Sequence, residues 1–335
     1  MTFRDREKKR LEPLKARLFS EAACAGGMYR GRRRTFCLHE DYSSENLQPG
    51  IREAALKYFT DRDIGWHDGK GDGPSNHLCC SQSCCVNFWF PFATAPRELG
   101  AVLRGLGYDV TEVLPVNADR PLAGGSRPFV AFEWIGKRNY LKELSRGKVA
   151  PDNGRTRGAG FTSLDFLVRF RRSDGRVQVV GGEWKYTEHY RPKVSLQVSR
   201  SKRDRLKDIY AIHLDRPGCQ IGRRDLERES LFFDPFDQLM RQQLLCSAMQ
   251  EASEMGADVV SLLNVAPRAN GELMKRVTSP ALEALGSDIH EIWASIVKPG
   301  CFRGVAIEDL LPLMRANAPS AESGTYLEQR YGGMA

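Results

Sequence analysis

Two acidic residues and a lysine stand at a spacing that suits phosphate chemistry: Asp165, then seventeen intervening residues, then Glu183 and Lys185 on either side of Trp184. In a strand, Glu183 and Lys185 share a face while Trp184 points the other way. Clustered carboxylates repel one another unless a cation neutralises them, and their hard oxygens suit Mg²⁺ or Mn²⁺. Such an ion polarises a phosphodiester and lowers the pKa of a bound water. A lysine beside it orients that water or stabilises the charge that develops on phosphorus.

The elements around these residues predict that they meet. Residues 162–170 alternate Leu164, Phe166, Val168 and Phe170 with Asp165, Leu167 and Arg169, the pattern of a strand with one strongly apolar face. Ser173, Asp174 and Gly175 suit a three-residue hairpin loop, and residues 177–186 return as a second strand. With Arg172 facing Arg176 across the loop, seven steps down each arm set Asp165 opposite Glu183. A two-residue loop would make them diagonal neighbours, still within reach of one shared ion.

Elsewhere the periodicity predicts a charged helix over 7–24, a second over 40–59 after the turn-like Pro49-Gly50 pair, and an exposed loop over 68–74. A helix over 96–106, strands over 108–114 and 129–135, and a short helix over 138–144 follow. A basic helix is expected over 195–211. Asp234-Pro235 opens a long helix that Gly256 ends, residues 259–265 form a buried strand, and two further helices close the chain. No internal repeat is present.

The hairpin and its flanks resemble the active-site signature of the PD-(D/E)XK, or restriction-endonuclease-like, nuclease superfamily. Thr162-Ser163-Leu164-Asp165 and Gly182-Glu183-Trp184-Lys185-Tyr186-Thr187-Glu188 carry the resemblance. Ser81-Gln82 with Asn87, Phe132-Glu133-Trp134, and Asp234-Pro235-Phe236 with Leu239 and Arg241-Gln242 extend it over residues 77–265 towards uncharacterised bacterial restriction-endonuclease-like proteins. It implies an α/β fold with a central mixed sheet flanked by helices, and metal-dependent hydrolysis of phosphodiester bonds. Asp165 and Glu183 would be the metal ligands and Lys185 the catalytic lysine. The superfamily often adds an upstream acidic residue, for which Glu133 is the first candidate, as ligand and catalytic group, and Glu143 the second. The residue before Asp165 is Leu164 where the motif carries proline. Glu188 and His189 follow the second strand as supporting or capping groups.

Charge points the same way. The chain of 335 residues carries +8 at neutral pH, which favours polyanions such as DNA, with RNA also open as a partner. Residues 1–34 hold eleven Lys or Arg against four acids, nearly the whole excess. Arg30, Arg32, Arg33 and Arg34 form one basic cluster, and Arg200, Lys202, Arg203, Arg205 and Lys207 another, each suited to track a phosphate backbone or to stand as a solvated face.

Composition excludes disordered, collagen-like and coiled-coil classes, and no stretch reaches the roughly 18 apolar residues that span a bilayer. Nine cysteines, an odd number, suggest reduced thiols in a cytoplasmic protein. A helical, basic N-terminal extension with a Cys-rich segment is expected over 1–125, and the nuclease-like core with its C-terminal helices over 126–335. A homodimer is the arrangement that would cut both strands in one encounter.

Other constellations lead nowhere comparable. His77, Cys79, Cys80, Cys84 and Cys85 lack the paired spacing of a zinc site and suit a buried core. His67 stands near no nucleophile motif, and Gly69, Gly71 and Gly73 lack the Gly-Lys-Ser/Thr ending of a phosphate loop. The competing reading is a nucleic-acid-binding protein of the same fold that does not cleave.

Overall fold

The structure, a computed structural model, describes residues 1–158, 160–190, 204, 209–223 and 225–334. Its centre is a mixed six-stranded sheet. Strand β7 (Leu164–Arg171) pairs antiparallel with β8 (Val177–Trp184), and on its other edge with β4 (Val130–Trp134) and β3 (Glu112–Leu114). Beyond β8 the sheet turns parallel, through β9 (Val259–Ala266) to the edge strand β10 (Phe302–Ala306). Two small hairpins stand apart, β1 (Gly27–Tyr29) with β2 (Arg32–Arg34), and β5 (Leu144–Ser145) with β6 (Lys148–Val149).

The expected hairpin is present. Gly175 takes φ +83°, which a side chain would resist, and Arg172 donates to the Arg176 carbonyl at 2.9 Å to close a three-residue loop. The pairs run from Arg171↔Val177 to Phe166↔Gly182, and one further step sets Asp165 across from Glu183. Leu164, Phe166, Val168 and Phe170 are buried as the alternation in β7 predicted, and Leu167 is buried as well; β8 is buried at every position. It lies between two strands and beneath helices on both sides. On one face α3 (Ser81–Trp89) brings Cys84, Phe88 and Trp89 onto Phe166 and Trp184; on the other α5 (Phe236–Glu251) brings Phe236, Leu239 and Met240 onto Leu167 and Val179. Gly182 makes the first contact feasible, since a Cβ there would lie 1.9 Å from the Phe166 ring, which stacks on Trp89.

Helix α1 (Phe3–Leu18) is capped by Thr2 and ends earlier than expected. The helix expected over 40–59 is two short 3-10 turns followed by α2 (Arg52–Asp61). Helix α4 (Pro96–Gly105) falls as expected, whereas only Glu112–Leu114 of 108–114 is strand. No helix forms over 138–144: Lys142 sits at φ +55° and the chain enters β5 instead. Most of the basic segment 195–211 lies outside the described residues. Helix α5 stops at Glu251, ahead of Gly256, and β10 was not anticipated.

Three helices close the described chain: α6 (Ile289–Ile296), α7 (Ile307–Ala316) and α8 (Ala321–Tyr331). The last returns to the start of the molecule. Asn87 donates to the Tyr331 hydroxyl at 3.1 Å, and Arg330 donates to the Asn46 carbonyl at 2.7 Å. Residues on both sides of position 125 therefore contribute to one core. No described helix is long and apolar enough to cross a membrane.

Candidate active site

Three carboxylates meet where β4, β7 and β8 run side by side. The pairs Phe132↔Phe166 and Trp134↔Leu164 bracket Glu133 and Asp165, and Glu183 is paired on its far side with Asn264 of β9. The row therefore reads Glu133, Asp165, Glu183, Asn264 across four strands.

Each member is held differently. Asp165 accepts the backbone N–H of Trp184 at 2.7 Å. Burial, then the charges of Glu183 and Glu133, push its pKa well above the usual carboxylate range, against the opposing pull of Lys185. Glu133 accepts from Gln82 Nε2 at 2.8 Å and from Ser163 Oγ at 3.2 Å. Burial raises its pKa too, with Glu183 adding and those hydrogen bonds subtracting. Its backbone is also unusual for mid-strand, with φ +49°, a left-handed conformation that costs a residue with a side chain about 1–2 kcal/mol.

Glu183 lies 2.7 Å from the Lys185 ammonium and also accepts from Gln242. Lys185 donates to Gln238 Oε1 at 2.7 Å. Burial works to lower the Lys185 pKa, but Glu183, then Tyr190, Glu188 and Asp165, outweigh it and hold the amine firmly protonated. Gln238 and Gln242 are four apart, so α5 offers both amides from one face. Gln242 donates also to the Ser163 carbonyl at 3.0 Å, tying the helix to the entry of β7. The sequence reading noted Gln242 within the resemblance and missed Gln238 as a site residue. An amide pair at helical spacing was the available signal. Gln82 likewise came only as part of the resemblance, and its contact with Glu133 joins residues 51 apart in sequence.

The second acidic candidate, Glu143, faces elsewhere: it accepts from Thr162 N at 2.9 Å, Thr162 Oγ1 at 2.6 Å and the Tyr210 hydroxyl at 3.0 Å. Glu188 accepts from Tyr186 N at 2.7 Å and from Ser81, which ties the end of β8 to the start of α3. Cys79, Cys80, Cys84 and Cys85 are all buried. His77 is buried beside Tyr29 and Phe36, its pKa pushed down to about 3 by burial and nearby Arg4 and Lys8.

Asp165, Glu183 and Glu133 are the residues that could hold a divalent cation. Their chemistry fits, because all three offer hard oxygens and a cation would offset the burial and the mutual repulsion that raise Asp165 and Glu133. As the side chains stand, no group of three or more His, Cys, Asp or Glu among the described residues is gathered to hold a metal ion. Lys185 and Gln242 occupy Glu183 instead.

The cluster of Arg32, Arg33 and Arg34 lies on a two-stranded hairpin outside the central sheet. Arg32 and Arg33 are exposed and Arg34 half-buried on the β1–β2 hairpin, where Arg33 donates to the Ala25 carbonyl at 2.7 Å. Arg30 pairs with Asp68 at 2.9 Å. Arg200, Lys202, Arg203, Arg205 and Lys207 lie outside the described residues.

A mixed sheet flanked by helices, with a carboxylate row at its centre, is the architecture expected of restriction-endonuclease-like proteins. Residues 8–332 match the family described as restriction endonuclease associating with ARP, and the chain belongs to that family. No curated protein and no solved structure matches it.

Proposed function

We propose that the protein is a nuclease of PD-(D/E)XK type that hydrolyses DNA phosphodiester bonds with Mg²⁺ or Mn²⁺. The observation that carries this is the row of Glu133, Asp165 and Glu183 with Lys185 beside it, in a chain whose family name is that of a restriction endonuclease. The bound ion supplies a Lewis acid for the scissile phosphate and a water of lowered pKa. Glu133, Asp165 and Glu183 would hold it. Lys185 would stabilise the charge that builds on the phosphate oxygens as water adds and the ester oxygen leaves. Trp184 N–H orients Asp165, Gln242 orients Glu183, and Gln238 orients Lys185.

A second reading, a nucleic-acid-binding protein that does not cleave and acts within a larger assembly, draws on one observation: Glu183 is already in contact with Lys185 and Gln242. Supercoiled plasmid and single-stranded DNA incubated with the protein in Mg²⁺, Mn²⁺ or EDTA separate the two. Ion-dependent cleavage supports the nuclease, whereas a salt-sensitive mobility shift without cleavage in any ion supports the binder. The same assay run on RNA tests the wider substrate class.

A further inference from the structure

Beside the carboxylate row the chain builds a short ribbon. In β5–β6, Leu144 pairs with Val149 and Ser145 with Lys148. Arg146 and Gly147 at the tip have φ +50° and +79°, the positive pair of a type I′ turn, which matches strand twist and makes a tight hairpin.

Its base is rigid. Asn139 Nδ2 donates to the carbonyls of Glu143 and Ala150, at 2.9 Å each, and Asn139 Oδ1 accepts from Glu143 N at 2.9 Å. The Glu143 carboxylate is fixed in turn by Thr162, three residues before Asp165, and by Tyr210. Glu143 is thus the anchor that ties the ribbon to the strand bearing Asp165.

The ribbon's surface is unusual for a protein on its own. Leu144 and Val149 are 46% and 53% exposed, two of the few large apolar side chains turned to solvent. The ribbon and the chain leading into it also carry exposed Lys137, Arg138, Lys142, Arg146 and Lys148, none of which has an ion-pair partner among the described residues. Residues 137–149 carry five Lys or Arg and one acid, Glu143, which is buried. An exposed apolar pair on a ribbon that carries unpaired cations complements a polyanion that also offers apolar surface.

We propose that the β5–β6 ribbon is the arm through which the protein engages duplex DNA, entering the major groove with Arg146 at its tip. This rests on the reading that the adjacent site acts on nucleic acid, and deepens it by naming double-stranded DNA as the ligand. Two strands about 4.8 Å apart, with side chains, are too broad for a minor groove about 6 Å wide but fit a major groove about 12 Å wide. Lys142 and Lys148 reach the flanking phosphates. Arg146 meets base edges, and Leu144 and Val149 lie against thymine methyls.

The test measures equilibrium binding of labelled duplex and single-stranded DNA of one sequence, in EDTA, for the parent and two variants, Arg146→Ala/Lys148→Ala and Leu144→Ser/Val149→Ser. All four side chains are exposed, so folding is preserved, and the thermal midpoint checks this. The expected result is a loss of duplex affinity of about tenfold or more in each variant, with single-strand affinity within about twofold. The dependence on salt should fall by about one charge in the first variant, because Lys148 is the one of the pair that meets a phosphate. Duplex affinity within about twofold of the parent in both variants would overturn the proposal, as would equal losses on both DNAs. A change of oligomeric mass in Leu144→Ser/Val149→Ser with duplex binding intact would overturn it in favour of contact between copies. Because binding is read without chemistry, a protein that binds duplex through the ribbon but never cleaves contradicts the nuclease reading alone.

Discussion

The Asp165 carboxylate accepts the backbone N–H of Trp184, so the residue between Glu183 and Lys185 is what fixes the carboxylate on the neighbouring strand. The three groups are therefore coupled through the hairpin's own geometry. Trp184 is locked in turn by burial against Phe88.

The raised pKa values of Asp165 and Glu133 give a pH dependence with a definite sign. A carboxyl whose folded pKa lies above its unfolded value stabilises the fold while protonated. Without divalent ions, stability should fall as pH rises from the ordinary carboxylate range, about 4, through the raised folded values. Asp165→Asn removes most of that fall, so thermal midpoints in EDTA from pH 4 to 8 should decline less in the variant than in the parent. Parallel curves would mean that Asp165 does not titrate as its surroundings require.

Added Mg²⁺ or Mn²⁺ should raise the parent's midpoint, and more so at higher pH, because the ion displaces protons from the same carboxylates. Asp165→Asn should lose this response. A shift of equal size in the variant would place the ion elsewhere.

Glu133 invites a test on its backbone. At φ +49° glycine is favoured, so Glu133→Gly should be more stable than Glu133→Ala by about 1 kcal/mol, the reverse of the usual order in a strand. Urea unfolding reads the difference. Both variants should cleave more slowly than the parent, and an Ala variant as stable as Gly would show that the left-handed backbone is not retained.

Gln242 should act as a positioning residue. Replacement by Leu removes the donor to Glu183 and keeps the side chain's bulk, so the cleavage rate should drop about 10–100-fold with substrate binding unchanged. Activity equal to the parent's would show that Lys185 alone suffices to orient Glu183.

Much of the candidate site's geometry was legible in the sequence. The alternation around Asp165 and the Ser173-Asp174-Gly175 turn define a local hairpin, whose register follows from counting. The amides that orient the carboxylates were less so, because Gln82 and Gln238 reach the site through packing of helices far away in sequence. Strand β10 escaped notice because its five residues include Arg303 and Gly304 and its pairing is with a distant parallel strand. The helix expected over 138–144 failed where Lys142 turns left-handed to enter β5. The cations of 137–148 were hidden by averaging: acids elsewhere cancel them in the net charge, and only the fold shows that they are exposed.

The most direct measurement compares single-turnover cleavage of one DNA substrate by the parent and by Lys185→Ala, each in excess over substrate with Mg²⁺. The predicted result is a fall in rate of about 10²–10³ or more with substrate affinity unchanged, since the lysine acts on charge that appears only as the phosphodiester is cleaved. Cleavage by the variant at the parent's rate would contradict the assignment of this site.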